Sequence, residues 1–260
     1  MDDKKLYIKK IREDIYLLDE AHEATGYLVV GEDKALLIDT MMGYNDLKKA
    51  VMEITDKPVM VVNTHGHGDH IFGNIYFDEA YMNPDDLELA RSFIEQDSFL
   101  SFCNEKGRYM PPFKDIRGGD SIDLGGKTLE VYDIPGHTKG SILLLLKEDR
   151  VLFAGDSINH HLWLMLDGCP KVSAFRDTVS ELMFLRDKAD ILLHGHARSE
   201  DDISLMSCFL QGLDEICEGD TSDDLPYEWF GGVSLQHKFE VLKGRSYSSD
   251  SHVICYDKSI

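Results

Sequence analysis

His65, His67, Asp69 and His70 fall within six residues, in the run Thr64-His65-Gly66-His67-Gly68-Asp69-His70. Imidazole nitrogen and carboxylate oxygen together suit zinc or a similar divalent transition metal, whereas calcium and magnesium prefer oxygen alone. The apolar run Pro58-Val59-Met60-Val61-Val62 just before them reads as a buried strand. The cluster therefore sits on a tight loop at a strand end. The glycines allow backbone angles that a side chain would forbid, so four coordinating groups can converge from one turn.

Three further candidates follow apolar strands in the same way. Val131-Tyr132-Asp133-Ile134-Pro135-Gly136 leads to His137, Val151-Leu152-Phe153-Ala154-Gly155 to Asp156, and Ile191-Leu192-Leu193-His194-Gly195 to His196. Polar groups beside glycine at strand ends are how an α/β scaffold presents a site at one edge of a sheet. Asp39 closes Leu36-Leu37-Ile38 and could equally cap a strand or turn. His22, His160, His161, His237 and His252 read as surface or core residues; His160 and His161 follow Asp156 closely and are the best substrate-pocket candidates among them. Lys139 reads as a solvated lysine, with pairing to a substrate carboxylate as the alternative.

The elements that must hold these groups alternate in type. Ile15–Leu18, Gly26–Val30 and Ala35–Asp39 read as strands, the last two joined by a hairpin loop at Gly31-Glu32-Asp33-Lys34. Leu47, Ala50, Val51 and Ile54 have helical spacing, and a second helix is expected from about Pro84 to Phe99, with proline and acids in its first turn. Lys127–Ile134, Ser141–Leu146, Arg150–Ala154 and Ile191–Leu193 read as strands. Helices are expected around Phe175–Arg186 and over Ile203–Cys217, and closing strands at Val233–Leu242 and Val253–Tyr256. Residues 101–119 are irregular; with the preceding helix, residues 81–119 could be an insertion near the site or an ordinary surface excursion.

Composition sets the outer bounds. With 260 residues, 43% of them hydrophobic, the chain can form one large α/β domain or two small ones. The net charge of −21 argues against nucleic acid and against an anionic membrane surface. No run is long enough to span a bilayer and no secretory signal is visible, so a cytoplasmic protein acting on a small molecule is expected; oligomeric state is not readable. Cys103, Cys169, Cys208, Cys217 and Cys255 are odd in number and far apart, which disfavours a disulfide framework or a thiolate zinc site.

Taken in order, His-x-His-x-Asp-His, Pro-Gly-His-Thr, Gly-Asp-Ser and Gly-His resemble the metallo-β-lactamase superfamily from roughly Gly26 to His196. The resemblance implies a single α/β domain over residues 1–260, folded as a four-layer αββα sandwich with two metals in its cleft. By matching position, His65, His67 and His137 would hold one ion, Asp69, His70 and His196 the other, and Asp156 would bridge them. His196 rather than His194 is taken because family members place the ligand directly after glycine. Asp39 resembles an outer-shell aspartate that braces the ligand loop. The metals implied are two Zn²⁺, with Fe or Mn as alternatives.

The implied chemistry is hydrolysis by a metal-bridging hydroxide, with Asp69 as the catalytic residue that orients the water and shuttles a proton. Asp156 stands where many true β-lactamases carry cysteine or serine. That favours a small ester, thioester or lactone, as in glyoxalase II-like and lactonase-like relatives, over a β-lactam. A phosphodiesterase or a β-lactamase of the same fold, and a persulfide dioxygenase-like oxidoreductase using one iron on a subset of these ligands, are the alternatives.

Overall fold

Ile142–Leu146 reads Ile-Leu-Leu-Leu-Leu, and every residue of it is buried. Side chains alternate between the two faces of a strand, so an unbroken apolar run requires cover on both. The computed structural model, which describes residues 4–241 and 252–257, supplies that cover. Ile142, Leu144 and Leu146 point inward against a second sheet, while Leu143 and Leu145 point outward against helices.

The facing sheet has seven strands that lie in chain order: Leu6–Arg12, Ile15–Glu20, Ala24–Val30, Ala35–Ile38, Val59–Val62, Ala80–Met82 and Phe113–Asp115. The first four are antiparallel and the last three join in parallel. Its partner has six strands, in the order Asp201–Asp202, Ile191–His194, Val151–Gly155, Ile142–Leu146, Thr128–Asp133 and Ser121–Asp123. Leu47–Met52 and Asp97–Lys106 cover the outer face of the first sheet, with Leu47, Val51, Phe99 and Cys103 in its core. Val172–Glu181 and Leu205–Glu218 cover the second with Phe175, Val179, Phe209 and Leu213. The result is the four-layer αββα sandwich that the motifs implied. All five cysteines are free thiols, and four of them are buried.

Several expectations about elements need correction: the helix expected around Phe175–Arg186 is Val172–Glu181 followed by a 3-10 turn over Met183–Asp187, and the first part of the stretch 101–119 is helical up to Lys106. The single helix expected from Pro84 to Phe99 is a short 3-10 turn, Pro84–Asp86, followed by two helices, Leu87–Ile94 and Asp97–Lys106. Gln96 is extended, with φ −70° and ψ 139°, and this break redirects the chain. The second helix can then stack Phe99 on Phe72, ring centroids 4.3 Å apart, against the first sheet. The closing strand expected at Val233–Leu242 runs Gly232–Lys238; Leu242 lies outside the described residues.

That strand belongs to a third sheet the sequence did not disclose, in the order His161–Leu164, Val253–Tyr256, Gly232–Lys238, Leu225–Trp229. Leu162, Leu164 and Ile254 join the core of the second sheet, whereas Trp163, Val253 and Cys255 group with Met165, Tyr227 and Trp229. His237 anchors the sheet: its Nδ1 is 2.7 Å from Asp224 Oδ1 and its Nε2 is 3.0 Å from Glu215 Oε2, on Leu205–Glu218. Tyr256 Oη donates to the other oxygen of Asp224 at 2.6 Å.

Candidate metal centre

The loops after Val59–Val62, Thr128–Asp133, Val151–Gly155 and Ile191–His194 meet at one edge of the sandwich. His67 Nδ1 lies 3.1 Å from His65 Nε2 and 3.0 Å from His137 Nε2. The far sides of these rings are already engaged. Thr64 Oγ1 gives its one hydrogen to Asp39 Oδ2 at 2.7 Å, so it accepts from His65 Nδ1 at 3.0 Å. His137 Nδ1 donates to the carbonyl of Trp163 at 2.8 Å. Both Nε2 atoms therefore turn lone pairs toward His67.

Asp69, His70 and His196 form a second group beside the first. His70 Nε2 is 3.6 Å from Asp69 Oδ2, and His196 Nε2 is 3.9 Å from the same oxygen. Asp156 stands between the groups. Its Oδ2 is 2.9 Å from His196 Nε2 and 3.8 Å from His137 Nε2, and its Oδ1 is 3.5 Å from His70 Nε2. Gly195 is required here, because a Cβ at that position would fall 2.1 Å from Asp156 Oδ1.

Two buried aspartates hold the loops in place. Asp39 takes a left-handed backbone (φ 58°), which costs a non-glycine residue free energy and aims its carboxylate inward. It accepts from Thr64 N at 2.7 Å and from His70 Nδ1 at 2.9 Å, so His70 also presents Nε2 to the centre. Asp86 is 1% exposed and accepts from Gly66 N at 2.8 Å, Thr138 Oγ1 at 2.7 Å and Gly140 N at 2.7 Å. It ties the His65–His70 loop to the His137 loop. Sequence reasoning placed Asp86 only as an acid at a helix start; nothing in its neighbours signals a partner over fifty residues away.

The protonation pattern divides the centre. Burial, reinforced by neighbouring rings, holds His65 and His67 well below the usual imidazole range, and burial also lowers His137. For His70 burial is again the largest single effect and pushes downward, but Asp69, Asp156 and Asp39 together hold the ring well above its usual value. His196 is raised against burial by Asp156. Burial would raise Asp156, yet His196 and His70 keep it well below the usual carboxylate range.

A divalent cation fits these residues. Three ring nitrogens crowd within hydrogen-bond distance around His67, and only one ring there has an uncommitted hydrogen to give. His70 Nε2 and Asp156 Oδ1 are buried without a hydrogen-bond partner. Such groups are costly unless a ligand satisfies them. The nitrogen and carboxylate donor set is the one zinc and its neighbours favour.

The model of the metallo-beta-lactamase superfamily matches residues 22–196, two thirds of the chain. The chain belongs to that superfamily. It is 28% identical over 217 residues to the human (Homo sapiens) protein named acyl-coenzyme A thioesterase MBLAC2, covering 72% of this chain and 76% of that one. It is 28% identical over 144 residues to a hydroxyacylglutathione hydrolase of Synechococcus, where 55% of this chain matches 48% of the relative. Among solved structures, the DIM-1 metallo-beta-lactamase superposes with a TM-score of 0.61 at 19% identity, covering 82% of this chain and 98% of the other. The sec-alkylsulfatase Pisa1 from Pseudomonas sp. superposes with a TM-score of 0.66 at 14% identity, covering 81% and 42%. At those identities the structures establish the fold alone.

Above this histidine and aspartate cluster opens a cleft of about 940 Å³. His67, Asp69, His137, Asp156 and His196 form its floor. Leu89 and Phe93, on Leu87–Ile94, make one wall, and Phe93 meets the His67 ring edge-on at 5.6 Å. Trp163, Tyr227, Trp229 and Phe230, from the third sheet, make the other. Sequence reasoning named His161 and the closing strands but missed this wall, because Trp163 meets Tyr227, Trp229 and Phe230 only through strand pairings some sixty to ninety residues apart.

The remaining candidates separate cleanly. His161 lines the cleft, but His160 turns away, its Nε2 3.1 Å from Asp201 Oδ1 and its Nδ1 2.6 Å from His252 Nδ1. His194 also stays outside the cleft: its Nδ1 accepts from His196 N at 3.2 Å and its Nε2 faces Asp201 Oδ2 at 3.5 Å. His160, His194 and Asp201 thus form a separate buried group behind the His196 loop. Lys139 is exposed and does not line the cleft. Among the described residues, no helix is long and apolar enough to cross a membrane.

Proposed function

We propose that this chain is a metal-dependent hydrolase that cleaves a small ester, thioester or lactone. The observation that carries the reading is Asp156, whose two oxygens face His137 and His196 on one side and His70 on the other. In this reading His65, His67 and His137 would hold one ion and Asp69, His70 and His196 a second, with the Asp156 carboxylate available to both. Bound there, divalent cations would supply Lewis acidity toward a substrate oxygen and lower the pKa of a water into the neutral range.

The chain's own residues do the rest. Asp39 and the Trp163 carbonyl fix ring tautomers so that lone pairs face inward. Asp69 is part-exposed at the cleft floor, where its carboxylate orients the attacking water and carries the proton to the leaving group. Phe93 and the aromatic wall exclude bulk water around the reacting carbonyl, which strengthens every charge interaction there. The thioesterase and hydroxyacylglutathione hydrolase among the relatives favour a thioester within this range.

The test is turnover of the zinc-reconstituted protein against thioesters, lactones, phosphodiesters and β-lactams, with metal content measured by mass spectrometry. About two zinc ions per chain and thioester, ester or lactone cleavage are expected. Cleavage of phosphodiesters alone would replace the substrate class. One iron per chain with oxygen uptake would replace the reaction.

A further inference from the structure

The chain has two tryptophans, Trp163 and Trp229, and both line the cleft. Their ring centroids are 5.9 Å apart. Tyr227 lies 6.2 Å from Trp163, and Phe230 lies 5.9 Å from Trp163 and 4.9 Å from Trp229. Phe230, at the tip of the hairpin formed by Leu225–Trp229 and Gly232–Lys238, is 90% exposed. A large aromatic side chain left in water beside two tryptophan rings is a surface that gains free energy when a ligand covers it.

Charge on the walls is as one-sided as the shape. Outside the metal centre, Asp167 is the one acidic residue lining the cleft, and among the described residues no lysine or arginine lines it. The whole chain carries −21. Anionic groups seated against these walls, away from the proposed metal floor, meet no lysine or arginine and an unfavourable overall field. The wall is also coupled to the floor, because Trp163 stacks in the aromatic group while its carbonyl holds His137 Nδ1. A group seated on this wall is therefore in register with the reacting centre.

We propose that the cleft takes an apolar, aryl-sized acyl group joined to an uncharged leaving group, and discriminates against the same acyl group on an anionic carrier. The aromatic wall binds the acyl arm and the acidic surroundings set the leaving-group preference. The inference rests on the hydrolase reading for its catalytic expression, but seating of an aryl group on the wall does not require turnover.

Three phenylacetyl thioesters separate the possibilities: those of N-acetylcysteamine, which is uncharged, of glutathione and of coenzyme A. With zinc-reconstituted protein in low salt, kcat/KM for the uncharged thioester is expected to exceed both others by at least about tenfold, with the gap narrowing as salt screens the repulsion. Phe230→Ala is expected to lower the kcat/KM ratio of phenylacetyl over acetyl N-acetylcysteamine thioester by about tenfold. Independently, phenylacetamide is expected to quench or shift the tryptophan fluorescence, since both fluorophores sit in the wall. Equal or better turnover of the glutathione or coenzyme A thioester overturns the leaving-group preference. Unchanged fluorescence at millimolar phenylacetamide, or an unchanged acyl ratio in Phe230→Ala, overturns the acyl site. Fluorescence change without turnover of any thioester, or of the phenylacetyl ester or aryl-substituted lactone run beside them, would sink the hydrolase reading while supporting the aryl site.

Discussion

The floor and the aromatic wall of the cleft are built in opposite ways. The floor draws on four loops, but each ligand loop carries its own local mark: histidine or aspartate beside glycine at the end of an apolar strand. The wall is made by pairing His161–Leu164 with Val253–Tyr256, about ninety residues later in the chain, and then with the hairpin Leu225–Lys238. Its residues carry no local mark, because an aromatic in a strand more often signals core. The floor's rings are held by directional hydrogen bonds to Asp39 and backbone, and their loops by Asp86, whereas the wall rests on ring contacts and ends in an exposed tip. The candidate metal-binding groups are thus locally encoded, whereas the wall is built from strands distant in sequence and can vary without disturbing them.

The sharpest way to break this contrast is to damage the floor alone. Asp156→Asn keeps the shape but removes the shared negative charge; a drop in kcat/KM on the order of 10³-fold is expected, with circular dichroism unchanged. Activity within tenfold of wild type would mean that Asp156 does not link the two groups. Asp86→Ala strikes the floor indirectly. It leaves Gly66 N, Gly140 N and Thr138 Oγ1 without their buried acceptor, so a loss of stability on the order of 3 kcal/mol in chemical denaturation is expected, together with roughly 10–100-fold weaker zinc binding. Zinc affinity equal to wild type in a titration would confine Asp86 to a purely structural role.

Smaller effects belong to the wall. His237→Ala unties the third sheet from Leu205–Glu218. The thermal midpoint should fall by roughly 2–6 °C, and KM for apolar substrates should rise more than kcat falls. A fall in kcat alone would show that the sheet steers the floor rather than the substrate. Lys139→Ala should change kcat/KM by less than about twofold for any substrate, since the side chain points to solvent outside the cleft. A larger loss for carboxylate-bearing substrates would restore the pairing role that its place after His137-Thr138 suggested.

Much of the sandwich was legible because its central strands are fully buried, and burial on both faces leaves continuous apolar runs such as Leu36-Leu37-Ile38 and Ile142–Leu146. The edge strands were not. Leu6–Arg12 alternates exposed with half-buried residues, and Phe113–Asp115 and Ser121–Asp123 are three residues long, too short for any period to register. At the site, the family resemblance favoured His196 over His194, and His196 is the one that lines the cleft; closeness to Asp156 favoured His161 and His160 equally, where only His161 reaches it. The difference lies in Asp201 and His252, which draw His160 away and which no local pattern ties to it.

The chain-order arrangement of the seven-stranded sheet bears on how the centre comes into being. Each strand there pairs with its neighbour in sequence, so this half can assemble from short-range contacts as the chain emerges. It brings His65, His67, Asp69 and His70, while His137, Asp156 and His196 arrive with the other sheet. Asp86, from the first half, fastens to Thr138 and Gly140 of the second. Neither half alone holds all the donors of either proposed site. Metal capture at the proposed centre should therefore coincide with docking between the halves, and a metal-sensitive dye in refolding experiments would time that last step directly.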